Sequence, residues 1–135
     1  MKTSNPIALG LLCSLLLGDP GDISEPFRIR GFPFIHFGNT LGRQTGISSY
    51  SAAPTTSEAG PEVAYRLDLA EAGKLTATLE GDNGTVDVDI QLLSSLTVDA
   101  AMMATDCLAR GNKWAEADFG AGPAFVVVDT WQSIQ

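Results

Sequence analysis

The stretch TVDVDIQLL, residues 85–93, decides the fold class of this chain. Its apolar residues recur at every second position, namely Val86, Val88, Ile90 and Leu92. This alternation predicts a β-strand with one buried and one exposed face, because successive side chains of a strand point to opposite sides. Asp87 and Asp89 are predicted to face solvent, since a register shift of one residue would bury both carboxylates.

The same period of two recurs in the preceding sequence. Residues 62–69 and 74–80 each alternate apolar and polar side chains. The dipeptide Asn83-Gly84 favours the positive φ angles of a tight hairpin, so the strand of residues 74–80 is predicted to turn into the strand of residues 86–92.

The flanking segments give weaker signals of the same kind. Residues 31–37 contain Pro33 and suit an edge strand, where a missing N–H donor is tolerated. Residues 94–110 suggest a helical turn that begins near Thr97 or Asp99.

The C-terminal third of the chain again favours strands. Residues 114–119 form a short strand candidate. The apolar run AFVVV, residues 124–128, is typical of a strand buried on both faces. Many short strands with little helix predict an all-β protein, an antiparallel β-sandwich.

The chain is long enough for one domain preceded by a targeting segment. Residues 1–18 carry Lys2 and an uncharged apolar run that is too short to cross a bilayer but fits a signal peptide. Lipidation of Cys13 and a buried core helix are the alternatives for this run. Residues 19–61 form a Gly-, Pro- and aromatic-rich lead-in and loop, and residues 62–135 carry the main strands.

The formal net charge is −8 at pH 7. Such a surface disfavours nucleic acid and anionic membranes, because binding to phosphates depends on Lys and Arg. The charge suits a secreted, periplasmic or cell-surface protein without a membrane span. If the signal peptide is removed, Cys107 is the remaining cysteine, and it is then free or paired between chains.

No set of residues has the spacing of a catalytic site. His36 is the only histidine and lies among aromatic residues, which favours packing over catalysis. Cys107 has Arg110 but no histidine nearby, so its thiolate is not strongly favoured. The chain has no nucleophile elbow, no phosphate-binding loop and no zinc spacing, so no catalytic residue and no cofactor are predicted.

Two further sets of residues are candidates for binding. Hard oxygen ligands beside a sheet suit calcium, and the candidates are Asp82, Asp87, Asp89 and Asp129. A solvated strand face is the competing interpretation of these acids. Trp114 and Trp131 are candidates for stacking on a sugar or a peptide, against the alternative that they pack at the core or its rim.

Five segments in order resemble a known family. They are PEVAYRLDL (61–69), GKLTATL (73–79), VDVDIQLL (86–93), CLAR (107–110) and FVVVD (125–129). Their order and spacing resemble the bacterial pre-peptidase C-terminal domain, in the exported version typical of myxobacteria, over about residues 26–131. The resemblance implies a jelly-roll-like β-sandwich that is exported, non-catalytic and appended to secreted peptidases, with a role in secretion, anchoring or substrate engagement.

The chain departs from this family pattern after residue 131. Members continue with a further turn and a closing strand, so the chain is expected to be a fragment or to lack its final strand, which leaves an unpaired apolar edge for self-association. An extracellular protein or polysaccharide is the expected partner. The rival interpretation is a calcium-stabilised carbohydrate- or peptide-binding sandwich, and a weaker third one is a truncated enzyme.

Overall fold

The computed structural model describes residues 20–80 and 87–131. Within these ranges the chain forms nine strands and no helix, which confirms the all-β prediction. The strands are β1 (Phe27–Arg28), β2 (Ser49–Tyr50), β3 (Val63–Leu69), β4 (Gly73–Thr78), β5 (Val88–Leu93), β6 (Met103–Ala104), β7 (Cys107–Gly111), β8 (Trp114–Phe119) and β9 (Gly122–Thr130). The predicted signal peptide, residues 1–18, and the predicted Asn83-Gly84 turn lie outside the described residues.

A five-stranded sheet in the order β1-β3-β9-β5-β7 forms the centre of the structure. β9 pairs antiparallel with β3 on one side and with β5 on the other, so it is the middle strand. β1 is parallel to β3 and adds only two residues to that edge. The apolar run in β9 is therefore paired along both edges, and the expected unpaired ladder does not occur at this strand.

The two faces of this sheet are covered by different layers. On one face a ribbon of β4 and β8 packs through Leu75, Ala115 and Phe119 against side chains of the central strands such as Ile90 and Leu92. The side chains at alternate positions of β3, β5 and β9 point to the opposite face. The prediction that residues 124–128 are buried on both faces is confirmed, since only Val128 retains intermediate exposure.

The opposite face is covered by loops and by the short parallel pair β2–β6. Ile47, Tyr50 and Ala104 from this layer pack against Leu93 and Val127 of the sheet. The layer contains little regular structure because it is built from the proline- and glycine-punctuated segments between β1 and β3 and between β5 and β7.

Three local predictions are wrong. β4 pairs with β8 and β5 pairs with β7 and β9, so the chain crosses between layers after β4 instead of forming the predicted hairpin. Residues 94–110 contain turns and strands, and Asp99 accepts hydrogen bonds from Ala101 and Met103 N–H groups in an Asx-type turn, not at a helix cap. Residues 31–37, all described, contain no strand.

The β7–β8 connection depends on Gly111. Only Asn112 and Lys113 separate the two strands, and a Cβ added at Gly111 would lie 1.9 Å from the carbonyl oxygen of Trp114. The backbone would have to move to accept any side chain here. By contrast, a Cβ at Gly73 in β4 would have no neighbour within 4 Å.

We expect Gly111→Ala to lower the free energy of unfolding by about 1–3 kcal/mol, because the clash is with backbone. Gly73→Ala is the matched control and is expected to leave stability unchanged or raise it by up to about 1 kcal/mol. Urea unfolding of both variants measures the difference. Equal stability of the two variants would contradict the close approach.

Candidate functional site

Two of the predicted calcium ligands lie side by side on the central sheet. Asp89 of β5 is the direct partner of Asp129 of β9 in the antiparallel register, so their side chains point to the same face. That face is the one covered by the loop layer. Asp89 is 3% exposed and Asp129 is 0% exposed. The prediction of a solvent-facing pair is thus wrong for Asp89, because the sheet is covered on both faces.

Asp89 is held by an ion pair that the sequence analysis did not anticipate. The Nη2 of Arg110, on β7, donates to Asp89 Oδ2 at 2.5 Å and to Glu58 Oε1 at 2.6 Å. Glu58 comes from the loop before β3 and its side chain is 1% exposed. Arg110 therefore joins two buried carboxyl groups, one from the sheet and one from the loop layer.

Asp129 has different partners. The hydroxyl of Tyr50, in β2, donates to Asp129 Oδ2 at 2.5 Å, and the Thr130 N–H donates to Asp129 Oδ1 at 2.7 Å. Burial raises the pKa of Asp129 to about 9, although the hydrogen bond from Tyr50 lowers it. Burial therefore favours the protonated form of Asp129, whereas the two hydrogen bonds that its oxygens accept favour the ionised form.

A further buried acid, Glu62, closes this polar layer. Its Oε1 accepts the N–H of Gly46 at 2.5 Å, and a Cβ at Gly46 would lie 2.9 Å from that oxygen. Burial raises the pKa of Glu62 to about 7, while the hydrogen bond from Gly46 lowers it. A side chain at position 46 would displace the end of the Glu62 side chain and the end of the Ile23 side chain.

The remaining calcium candidates are not brought to this cluster. Asp87 is exposed, with its carbonyl oxygen accepting the Trp131 N–H at 3.2 Å, and Asp82 lies outside the described residues. In residues 20–80 and 87–131, no three His, Cys, Asp or Glu side chains form a metal-binding group. The calcium site stays a prediction.

Both tryptophans are accessible but lie on different elements. Trp114 begins β8 and is 54% exposed, and Trp131 follows β9 and is 44% exposed. They are available for stacking, and their role as ligand contacts stays a prediction.

His36 and Cys107 both sit in packed surroundings. The His36 ring packs edge-on against Phe27 and Tyr65, and its Nδ1 is 2.7 Å from the Tyr65 hydroxyl oxygen. Burial, followed by the charge of Arg43, lowers the pKa of His36. Burial raises the pKa of the free Cys107 thiol, which disfavours a reactive thiolate.

A concave groove lies at the β1–β3 edge. It has a volume of about 410 Å³ and is lined by residues 28–32 and 67–70. β1 ends at Arg28, and a backbone hydrogen bond runs from the Ile29 N–H to the Arg66 carbonyl oxygen at 2.8 Å. Beyond that point the edge of β3 is no longer paired with β1.

One exposed apolar side chain lines this groove. Phe32 is 62% exposed, and Ile35, Phe37 and Leu41, which follow it in the sequence, are also exposed. Large exposed apolar side chains in one segment favour an interaction surface. The groove was not predicted, because residues 31–37 were expected to form an edge strand that would have paired with the sheet here.

Arg110 and Glu58 were also missed, although one signal was present. Residues 124–128 indicated a strand covered on both faces, and the strand beside it in the sheet is covered in the same way. A polar residue on either face of that neighbour, such as Asp89 or Gln91, then requires a buried partner.

We expect Tyr50→Phe to lower the free energy of unfolding by about 1–3 kcal/mol, because it leaves the buried Asp129 Oδ2 without its hydroxyl donor. Tyr65→Phe is the matched control, since it removes a hydroxyl that bonds the half-buried His36, and should cost about 1 kcal/mol or less. Thermal and urea unfolding measure both. A larger loss for Tyr65→Phe would contradict the assigned importance of the Tyr50–Asp129 bond.

The part of the chain that the structure describes has no helix of the length and apolarity needed to cross a membrane. Comparison of the chain with protein-family models, with curated proteins and with solved structures gives no significant match.

Proposed function

We propose that this chain is a non-catalytic, exported accessory module with a jelly-roll-like β-sandwich fold, and that it engages an extended polypeptide of an extracellular protein. The single observation that carries the proposal is the groove at the β1–β3 edge, with its open strand edge and exposed Phe32. The resemblance to pre-peptidase C-terminal domains suggests the same role and the same compartment.

The packing of the β4–β8 ribbon on the central sheet supports the sandwich. The chain leaves the central sheet after β3, forms β4 in the ribbon, and returns to the central sheet at β5. Alternation between two packed layers is the connectivity expected of jelly-roll folds.

The open edge of β3 favours a polypeptide as partner. The Ala64 N–H donates to the Gly21 carbonyl oxygen and the Arg66 carbonyl oxygen accepts from Ile29, so even-numbered residues of β3 direct their backbone groups away from β9. Asp68 is the next residue in this series and lies at the groove. An extended peptide could pair with this edge of β3 by strand addition, in line with β1 and beyond its end.

Charge favours an acidic, partly apolar segment. Arg28 and Arg30 line the groove on a chain whose net charge is −8. Asp68 pairs with Arg28 and Arg66, so the groove keeps an excess of positive charge. A peptide that alternates acidic and apolar residues would place carboxylates toward Arg30 and apolar side chains toward Phe32.

The placement of the acids supports a role without catalysis. Glu58, Asp89 and Asp129 are all closed off from solvent and bonded to Arg110 or Tyr50. General acid–base chemistry requires the group to reach a substrate. A hydrolase screen that gave turnover by the purified chain would contradict this part of the proposal.

We expect a labelled synthetic peptide alternating Glu and Val to bind the full chain more tightly than one alternating Lys and Val. Arg30→Glu and Phe32→Ser should each weaken the Glu–Val peptide about tenfold, through lost charge complementarity and lost apolar contact. Fluorescence anisotropy measures the affinities.

Leu108→Ser is the control for this experiment, because Leu108 is 48% exposed on β7 at the other edge of the same sheet. It should leave the affinity unchanged. Equal affinity for both peptides would overturn the assigned partner. So would binding of the chain to cellulose with no binding to either peptide.

Calcium stabilisation is the second candidate function. It is favoured by the juxtaposition of Asp89 and Asp129 and by the unpartnered Asp89 Oδ1. The proposed accessory role predicts no change in Tm up to millimolar calcium. A calcium-binding native state would instead gain about 2.7 kcal/mol at 100 times its Kd. Thermal melting with calcium, with magnesium as control, separates the two.

A further inference from the structure

Two buried carboxyl groups share one cationic partner in the loop-covered face of the sheet. Arg110 donates through the same nitrogen, Nη2, to Glu58 Oε1 and to Asp89 Oδ2. Both acidic side chains are at most 5% exposed, whereas the Arg110 side chain is 23% exposed. A single guanidinium balances one carboxylate, so a second carboxylate would be an uncompensated buried charge.

The other oxygen of each carboxyl group has no hydrogen-bond partner among the protein atoms. These oxygens are Glu58 Oε2 and Asp89 Oδ1. The two carboxyl groups are close neighbours, because Glu58 Oε1 and Asp89 Oδ2 both accept from the same Arg110 nitrogen, at 2.6 and 2.5 Å. Ionised carboxylates only accept hydrogen bonds, so two of them cannot bond directly, but a proton on one provides the donor.

We propose that Glu58 and Asp89 share one proton between Glu58 Oε2 and Asp89 Oδ1, and that this proton fastens the loop carrying Glu58 to the central sheet. The proton satisfies both unpartnered oxygens and leaves one negative charge beside Arg110. The site binds a proton in the folded chain and releases it when the pair separates.

The neighbouring polar and titratable groups come from every element packed on this face. They are Tyr50 on β2, Glu62 in the loop, Gln91 on β5, Cys107 on β7 and Asp129 on β9. None of them carries a positive charge. Burial first, and then coulombic repulsion from nearby acids, favour retention of the proton, and the same two causes raise the pKa values of Glu62 and Asp129.

Burial, then the hydrogen bond to Asp89 and its charge, raise the pKa of Glu58 from 4.5 to about 8, against the lowering effect of Arg110. Between pH 4.5 and about pH 8, Glu58 therefore binds more protons in the folded state than in the unfolded state. Its extra stability is complete below about pH 4.5 and is lost as pH rises through about 8. Alkaline pH is the destabilising direction.

The loop around Glu58 is the element that responds. The Glu58 N–H donates to the Ser48 carbonyl oxygen at 2.8 Å, and the Gly60 N–H donates to the Thr130 carbonyl oxygen at 2.9 Å. These bonds hold the loop over the sheet while the proton is present. Loss of the proton places two carboxylates against one guanidinium and weakens the closure of this face.

The test is urea unfolding of the full chain from pH 5 to 9 for the wild type, Glu58→Gln and Asp89→Asn. Between pH 5 and 7 the folding equilibrium constant should fall more steeply with pH in the wild type than in either variant. The difference should be up to about tenfold per pH unit, because one extra proton is bound in the folded wild type. The double variant should match each single variant, because one proton is shared. Glu62 and Asp129 titrate in all these proteins and cancel in the comparison.

Glu116→Gln is the control, since Glu116 is a half-buried partner of Lys74 with a lowered pKa, far from the Glu58–Asp89 pair, and should leave the slope unchanged. If a core variant fails to fold, the assigned carboxyl carbon of Glu58 is titrated by NMR in the wild type. A midpoint above about pH 6 supports the shared proton. A midpoint near that of an ordinary Glu, or equal slopes for wild type and Glu58→Gln, overturns it.

Discussion

The central strand β9 is hydrogen-bonded along both edges and covered on both faces, and the arrangement of the other residues follows from this constraint. A strand in this position needs an apolar run, which residues 124–128 supply. Its neighbour β5 is covered in the same way over residues 89–93, whereas β3 keeps Asp68 exposed. Polar side chains at the covered positions must then find partners inside the protein, because water is excluded from both faces.

On the loop-covered face, a layer of polar side chains supplies these partners. Asp89 and Asp129 extend from the sheet, and Arg110 and Tyr50 meet them from β7 and β2. Glu58 and Glu62 add two more acids from the loop. With fewer cations than acids, raised pKa values at Glu58, Glu62 and Asp129 are the physical outcome, since protonation is the remaining way to remove buried charge.

Local pattern predicted the strands well and their pairing poorly. The alternation in residues 62–69 and 86–92 and the apolar run of residues 124–128 depend only on which side chains are buried, so they could be read from sequence. The partner of β4 depends on contacts with β8, far along the chain, and no local signal encodes it. For the same reason Asp89 was placed in solvent, since alternation cannot show that a second layer covers the polar face.

The candidate site shows the same limit. Trp114 and Trp131 are exposed, and their role as ligand contacts stays a prediction, while His36 packs against aromatic rings as its sequence neighbours indicated. The groove arises because β1 ends at Arg28 and the chain then turns away from the edge of β3. Glu58 and Arg110 are 52 residues apart in sequence and meet only in the folded chain. Long-range juxtaposition of single polar residues has no periodic signature.

Arg110 also has a consequence for how the sequence can diverge. One guanidinium nitrogen contacts both Glu58 and Asp89, so a neutral or acidic replacement of Arg110 leaves two buried acids without a cationic partner. Lysine would keep the charge but lacks the planar guanidinium group. Drift at these three positions should be concerted, with apolar residues replacing all of them together. Homologues are expected to retain the trio or to have exchanged it as a unit.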